Sequence, residues 1–78
     1  MSKSAEDYQD DAKKEYGNAQ MMNKFITEGS NLYNKKDVFN AYLNSAKNWL
    51  SYLKKSHLSE TNKLNKLKEV SGILNYAV

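Results

Sequence analysis

No proline occurs anywhere in the 78 residues, and only three glycines do, so the backbone chemistry forbids a helix almost nowhere along the chain. The apolar residues use that freedom with helical spacing. From the N-terminus Ala5, Tyr8, Ala12, Tyr16, Ala19, Met22, Ile26, Gly29 and Tyr33 recur in steps of three and four, a mean close to the ~3.5-residue period of a packed helical seam. Alternation of period two is missing, and no Asn-Gly or Asp-Gly pair separates apolar runs, so no strand is expected.

Ser4, followed three residues later by Asp7, supplies an N-cap, and Glu6, Asp7, Asp10 and Asp11 suit the positive end of a helix dipole. Helix 1 is therefore predicted from about Ala5 to about Tyr33. A mid-helix glycine costs ~1 kcal/mol relative to alanine, but the apolar register is kept across Gly17, which favours one continuous helix. Residues 1–17 then form a helical extension, or a frayed segment, ahead of a core over 18–77. Gly29 falls on the seam, where a missing side chain would admit a neighbouring helix.

Asn34-Lys35-Lys36-Asp37 reads as a short connection, with Asp37 as the cap of helix 2, about Asp37 to Ser56. Its stripe is Val38, Tyr42, Ala46, Trp49 and Leu53, widened by Phe39, Leu43 and Leu50, enough for two neighbours. Lys54 and Lys55 close the helix where positive charge is favoured. A second turn over residues 57–62 offers Ser59 or Thr61 as cap. Helix 3 follows, with Leu64, Leu67, Val70, Ser71, Leu74 and Ala77 toward the core and Lys63, Asn65, Lys66, Lys68 and Glu69 toward solvent. Short connections make sequential helices antiparallel. The expectation is one all-α domain over residues 1–78, an antiparallel up-down-up three-helix bundle with a long first helix.

A domain this small buries only about 60% of its unfolded surface, and without cysteine it has neither a disulfide nor a thiolate metal site to supplement its core. Catalytic chemistry is equally bare of signals. The single histidine, His57, has no second histidine or cysteine to build a triad or a zinc site with. The carboxylate pairs Glu6/Asp10 and Asp7/Asp11 share convex helix faces, whereas a hard cation needs six or more converging oxygens. Gly17, Gly29 and Gly72 are isolated, so no phosphate loop forms. No catalytic residue, cofactor or metal is expected, and the chain is read as not an enzyme.

All twelve basic residues are lysine, and they are unevenly placed: four against six acids in residues 1–28, eight against three in residues 29–78. Without the planar guanidinium, base-reading recognition is disfavoured, and a nucleic-acid partner is not expected. Mean hydropathy is −0.86, no apolar run exceeds three residues and the N-terminus is polar; neither a membrane span nor a secretory signal is read, and the location expected is cytoplasmic. Among the aromatics, Tyr8, Tyr16, Tyr33 and Tyr42 fall on seams and are assigned to the core. Tyr52 and Tyr76 fall beside the stripes and are assigned to a surface for a partner.

The run from Val38 to Lys54, with Val38, Tyr42, Ser45-Ala46, Trp49 and Leu53-Lys54 at its key positions, resembles the second helix of MIT domains. These are the three-helix microtubule-interacting and trafficking modules of endosomal sorting ATPases, sorting nexins and deubiquitinases. Ala19, Met22, Ile26 and Gly29 are similar to the first helix of that family, and Leu64, Leu67 and Ile73 to Ala77 are similar to its third. The resemblance spans roughly residues 18–77 and leaves residues 1–17 without a counterpart. It implies that a short partner helix or strand lies in a groove beside helix 3, with hydrophobic anchors inside and charges at the rim. By position the partner-binding residues would be Leu50, Lys54, Leu64, Lys66, Leu67, Lys68 and Ser71. Where members of the family that bind basic-flanked helices carry acids on helix 3, this chain carries Lys63, Lys66 and Lys68, so the implied partner is an acidic protein or peptide.

Two functions are thus expected from the sequence. The first is a non-enzymatic protein-protein interaction module, an adaptor in endosomal sorting and protein transport that binds a peptide or helix beside helix 3. The alternative is a free-standing small phage or bacterial inhibitor or immunity-type protein, since Met1 to Val78 reads like a complete reading frame. Such a protein would act by covering a partner, and its acidic first helix would serve as the contact element or as a homodimer seam; otherwise the chain is a monomer.

Overall fold

Where each helix begins is decided by a side chain that replaces the missing intrahelical partners of its first amides. The computed structural model describes residues 3–77, with the side chains of Tyr76 and Ala77 outside the description; the assignment of Tyr76 to a surface therefore falls outside the described residues. Three helices form, α1 (Ala5–Thr27), α2 (Lys35–Lys55) and α3 (Glu60–Ala77), and no strand occurs among the described residues. The chain is an all-α three-helix bundle whose first helix is the longest.

α1 starts on a reciprocal capping box: the Asp7 amide donates to Ser4 Oγ at 3.2 Å and the Ser4 amide donates to Asp7 Oδ2 at 3.1 Å. α2 starts on the same device one residue type over, with Asn34 as the cap and Asp37 as its partner three residues on. Asp37 is thus not the cap expected from the sequence. For α3 the choice between Ser59 and Thr61 falls to Ser59, whose Oγ accepts from the Asn62 amide; Thr61 lies inside the helix.

α1 runs unbroken through Gly17 but stops at Thr27, six residues short of Tyr33. Gly29 ends it with φ +90°, a conformation that side-chain-bearing residues rarely adopt. The Ser30 amide reaches back to the Phe25 carbonyl at 2.9 Å and the Gly29 amide to the Ile26 carbonyl at 3.0 Å, the paired bonds of a Schellman stop. Gly29 therefore terminates the helix instead of admitting a neighbour on its seam. Tyr33, carried by the connection, sets its ring 6.0 Å from that of Phe25.

α1 packs on α2 through small residues. Ala12 and Ala19 are fully buried, as are Ala41, Ala46 and Ser45 on the facing helix. The Ser45 hydroxyl donates to the Ala12 carbonyl at 2.8 Å. A serine oxygen is two bonds from its Cα, so this contact requires the two backbones to approach closely there. Lys3 at the start of α1 meets Lys55 at the end of α2, where the ammonium donates to the Lys3 carbonyl at 2.7 Å. Met22 and Ile26 at the far end of α1 pack against Val38 and Ala41; the two helices run in opposite directions.

Two clusters make the core: Ala19, Val38, Ala41 and Tyr42, and Ala12, Ala46, Trp49 and Val70. Ile73 packs against both. Tyr16 and Tyr42 meet edge to face at 5.6 Å. Tyr52, expected at the surface, packs edge-on to Trp49, also at 5.6 Å, because the indole is too large for the alanines around it to cover. α3 buries the expected Val70 and Leu74, with Ile73 beside them, but the expected Leu64 and Leu67 of its first half remain 55% and 43% exposed.

Gly17 and Gly29 respond to the same substitution in opposite directions. A methyl group at either meets nothing within 4 Å, so only backbone conformation decides. Gly17→Ala stabilises the fold by roughly 0.5–1 kcal/mol and Gly29→Ala destabilises it by about 1–2 kcal/mol, read as thermal midpoints moving up and down by several degrees. The hydrogen bond from the Ser4 amide, then that with the Ser4 hydroxyl, holds the Asp7 carboxyl below its ordinary 3.8. A depressed folded value means that the stabilisation is present above the unfolded value and lost as pH falls through the folded one. Carbon-detected titration of Asp7 should therefore give a midpoint below 3.8, and Asp7→Asn should abolish the acid-induced loosening of the first turn of α1.

Candidate functional site

α2 serves both neighbours. α1 and α3 each pack on it, yet no Cα of α1 comes within 8 Å of a Cα of α3 among the described residues. Between them an open groove is left, walled by Lys13 and Tyr16 of α1 and by Glu69, Gly72 and Ile73 of α3, with Trp49 as its floor. The groove exists because the close α1/α2 seam and the α2/α3 seam diverge from α2. The space nearest α3 stays empty because Gly72 contributes no side chain: a Cβ built there would meet nothing within 4 Å.

Lys66 lies across the indole. Its Nζ stands 4.2 Å from the centre of the Trp49 ring and donates to Glu69 Oε2 at 2.7 Å. The aliphatic stem covers apolar surface while the charge is held by the ring face on one side and the carboxylate on the other. The pattern of apolar residues placed Lys66 in solvent, but the chain uses its stem to cover an indole that Val70 alone does not span. Lys13, on the opposite wall, is exposed.

No single depression among those found brings together the seven residues assigned from the sequence. Lys66 reaches the edge of the Trp49 groove. Leu64 and Leu67 line a separate shallow depression on α3 with Glu60, Thr61 and Lys63. Lys54, Lys68 and Ser71 are exposed, and Leu50 is an exposed apolar residue on α2. Trp49 and Tyr16 were read from the sequence as stripe and core positions, Gly72 only as an isolated glycine and Ile73 only within the resemblance of helix 3. The signal available in the sequence was an unbroken α3 carrying a glycine four residues before Tyr76, with no steric reason for it along its own helix.

Among the described residues no group of three or more His, Cys, Asp or Glu is placed to hold a metal ion, and no helix is long and apolar enough to cross a membrane. No protein-family description, curated protein or solved structure matches this chain.

The Lys66 lid has an optical readout, because Trp49 is the single tryptophan. Lys66→Ala should raise the acrylamide quenching of Trp49 emission while changing stability by no more than about 1 kcal/mol. Unchanged quenching would place the indole's cover elsewhere.

Proposed function

We propose that this chain is a non-enzymatic interaction module that receives a short, acidic, amphipathic segment of another protein in a groove beside α3. It would work as a cytoplasmic trafficking adaptor of the kind that the MIT resemblance of α2 implies. The reading is carried by one observation: the two outer helices are held apart, leaving an aromatic floor and an apolar wall open between them. An apolar anchor would pack on Tyr16 and Ile73, beside the part of Trp49 that lines the groove, in the space that Gly72 leaves. A carboxylate of the segment would face Lys13 at the rim, and helix-in-groove recognition of this type places apolar anchors centrally and charges at the edges.

Titration with acidic amphipathic peptides, followed by amide shifts and Trp49 emission, tests the reading. Binding in the ~micromolar range is expected, with shifts along α1 and α3. Gly72→Ala should keep the fold, and Gly72→Leu should weaken binding at least tenfold by filling the groove. Binding that survives Gly72→Leu but is lost in Leu64→Asn with Leu67→Asn would move the docking site to the other side of α3. Shifts scattered evenly over the three helices would overturn the reading.

A further inference from the structure

Around the axis of α2 its neighbours follow in a fixed order. Ser45 faces α1, to whose Ala12 carbonyl it donates; Trp49 floors the groove; Ala46 packs with Val70 of α3. At about 3.6 residues per turn, Phe39, Leu50 and Leu43 come next, beyond α3, and Lys36, Lys47 and Lys54 follow within about 20° of the direction opposite Ser45. These positions succeed one another along α2 in steps of three and four. All but the half-buried Leu43 are exposed. α3 continues the face: its groove side carries Glu69, Gly72 and Ile73, and its other flank, turned to the same side as Phe39 and Leu50, carries Leu64 and Leu67. Of the seven large apolar side chains left exposed among the described residues, these four share one side of the molecule.

The charge around them is one-sided. No aspartate or glutamate occurs from residue 38 to residue 59. Asp37 is turned away, into a depression that it lines with Glu15 of α1, and the acids of α1 belong to the Ser45 side of α2. Glu69 stands on the groove side, bonded to Lys66. Glu60, which lines the depression at Leu64 and Leu67 together with Lys63, is the acid that faces this side. Against it stand Lys63 and the Lys36, Lys47 and Lys54 stripe, and none of these four lysines is in an ion pair among the described residues.

We propose that this outer face of α2 and α3 docks on an anionic lipid surface, with Phe39, Leu50, Leu64 and Leu67 entering the interface and the four lysines at the headgroups. Two features select lipid over a protein segment. The apolar groups project, and the depression at Leu64 and Leu67 includes neither Phe39 nor Leu50; a partner helix finds no groove along them, whereas acyl chains close around projecting side chains. The cations are all lysine, point charges that answer a diffuse negative field without the planar guanidinium that pairs with single carboxylates. Apolar side chains gain by leaving water, and lysines near an anionic leaflet are attracted within a Debye length. α2 then lies along the surface with its lysines at one edge of its apolar stripe, as an interfacial amphipathic helix does. The groove over Trp49 opens on the other flank of α3, so the proposal stands independently of the peptide-binding reading.

Flotation of the full chain with vesicles of phosphatidylcholine alone, and of phosphatidylcholine with phosphatidylserine, tests it. Binding to the anionic vesicles is expected at about 50 mM salt and should fall steeply by about 200 mM, with little on the neutral ones. Leu50→Asn with Leu67→Asn should reduce it about tenfold or more, and Lys47→Gln with Lys54→Gln by roughly fivefold for each charge removed. Glu60→Gln should strengthen it, because the one opposing charge is gone. Circular dichroism should show these variants folded, since none of the positions is buried. A second readout uses the absence of cysteine: an environment-sensitive dye on Phe39→Cys should shift to the blue on anionic vesicles, and the same dye on Gln20→Cys of α1 should not. No flotation with anionic vesicles at low salt, equal flotation of the Leu50→Asn, Leu67→Asn chain and the native one, or equal blue shifts at both dye positions would overturn the proposal. Retention of an acidic peptide that the same double substitution abolishes, without vesicle binding, would assign this face to a protein and overturn it equally.

Discussion

The hydrogen bond from Ser45 to the Ala12 carbonyl states the constraint on which the rest of the fold depends: where these two residues meet, α1 and α2 approach too closely for a large side chain to lie between them. Alanine at 12, 19, 41 and 46 is what permits that approach. Each alanine buries little apolar area, so the seam gains from dispersion over a long contact and not from any single side chain. Ser45, fully buried, is satisfied by a backbone acceptor; no buried side-chain nitrogen or oxygen lacks a partner among the described residues.

On either side of that contact α2 turns larger side chains to both neighbours: Val38 and Tyr42 pack with Tyr16, Met22 and Ile26 of α1, and Trp49 meets Val70 of α3. Trp49 and Leu53 are buried, with Tyr52 edge-on to the indole. Val70 is the one apolar residue of α3 that is buried among those described. Lys66 supplies the remaining cover with its stem, and Glu69 holds the ammonium at the end of it. A lysine used as an apolar lid is the direct result of an indole that outgrows the helix packed over it.

The sequence made the existence and order of the helices legible. A chain without proline and with sustained three-four spacing has few alternatives, and Ser4 with Asp7 marked the first start correctly. The end of α1 was misplaced because Gly29 and Tyr33 happen to continue the apolar period beyond the point where a positive φ stops the helix. Periodicity counts side chains and is blind to a backbone reversal; the polar run from Glu28 to Asn31 was the better signal. Val70 and Leu74 of α3 were placed correctly, but the inward face of its first half was misread for a related reason. Leucines 64 and 67 carry more hydrophobicity than a lysine, but which face turns inward was set by the shape of Trp49 on another helix. The groove was illegible for the same cause, since it is defined by two helices whose backbones stay more than 8 Å apart among the described residues.

α3 adheres to the molecule along one seam, whereas α1 is held to α2 along its length and tied at its start by Lys55 on the Lys3 carbonyl. The two long helices therefore form a hairpin whose contacts support one another, and α3 is a separate cooperative unit docked on it. Amide protons of α3 exchange through its undocking, at lower free energy than those of the hairpin, and Trp49 is bared each time. Undocking of α3 would leave a two-helix hairpin with an open aromatic face, without unfolding the helices that carry it.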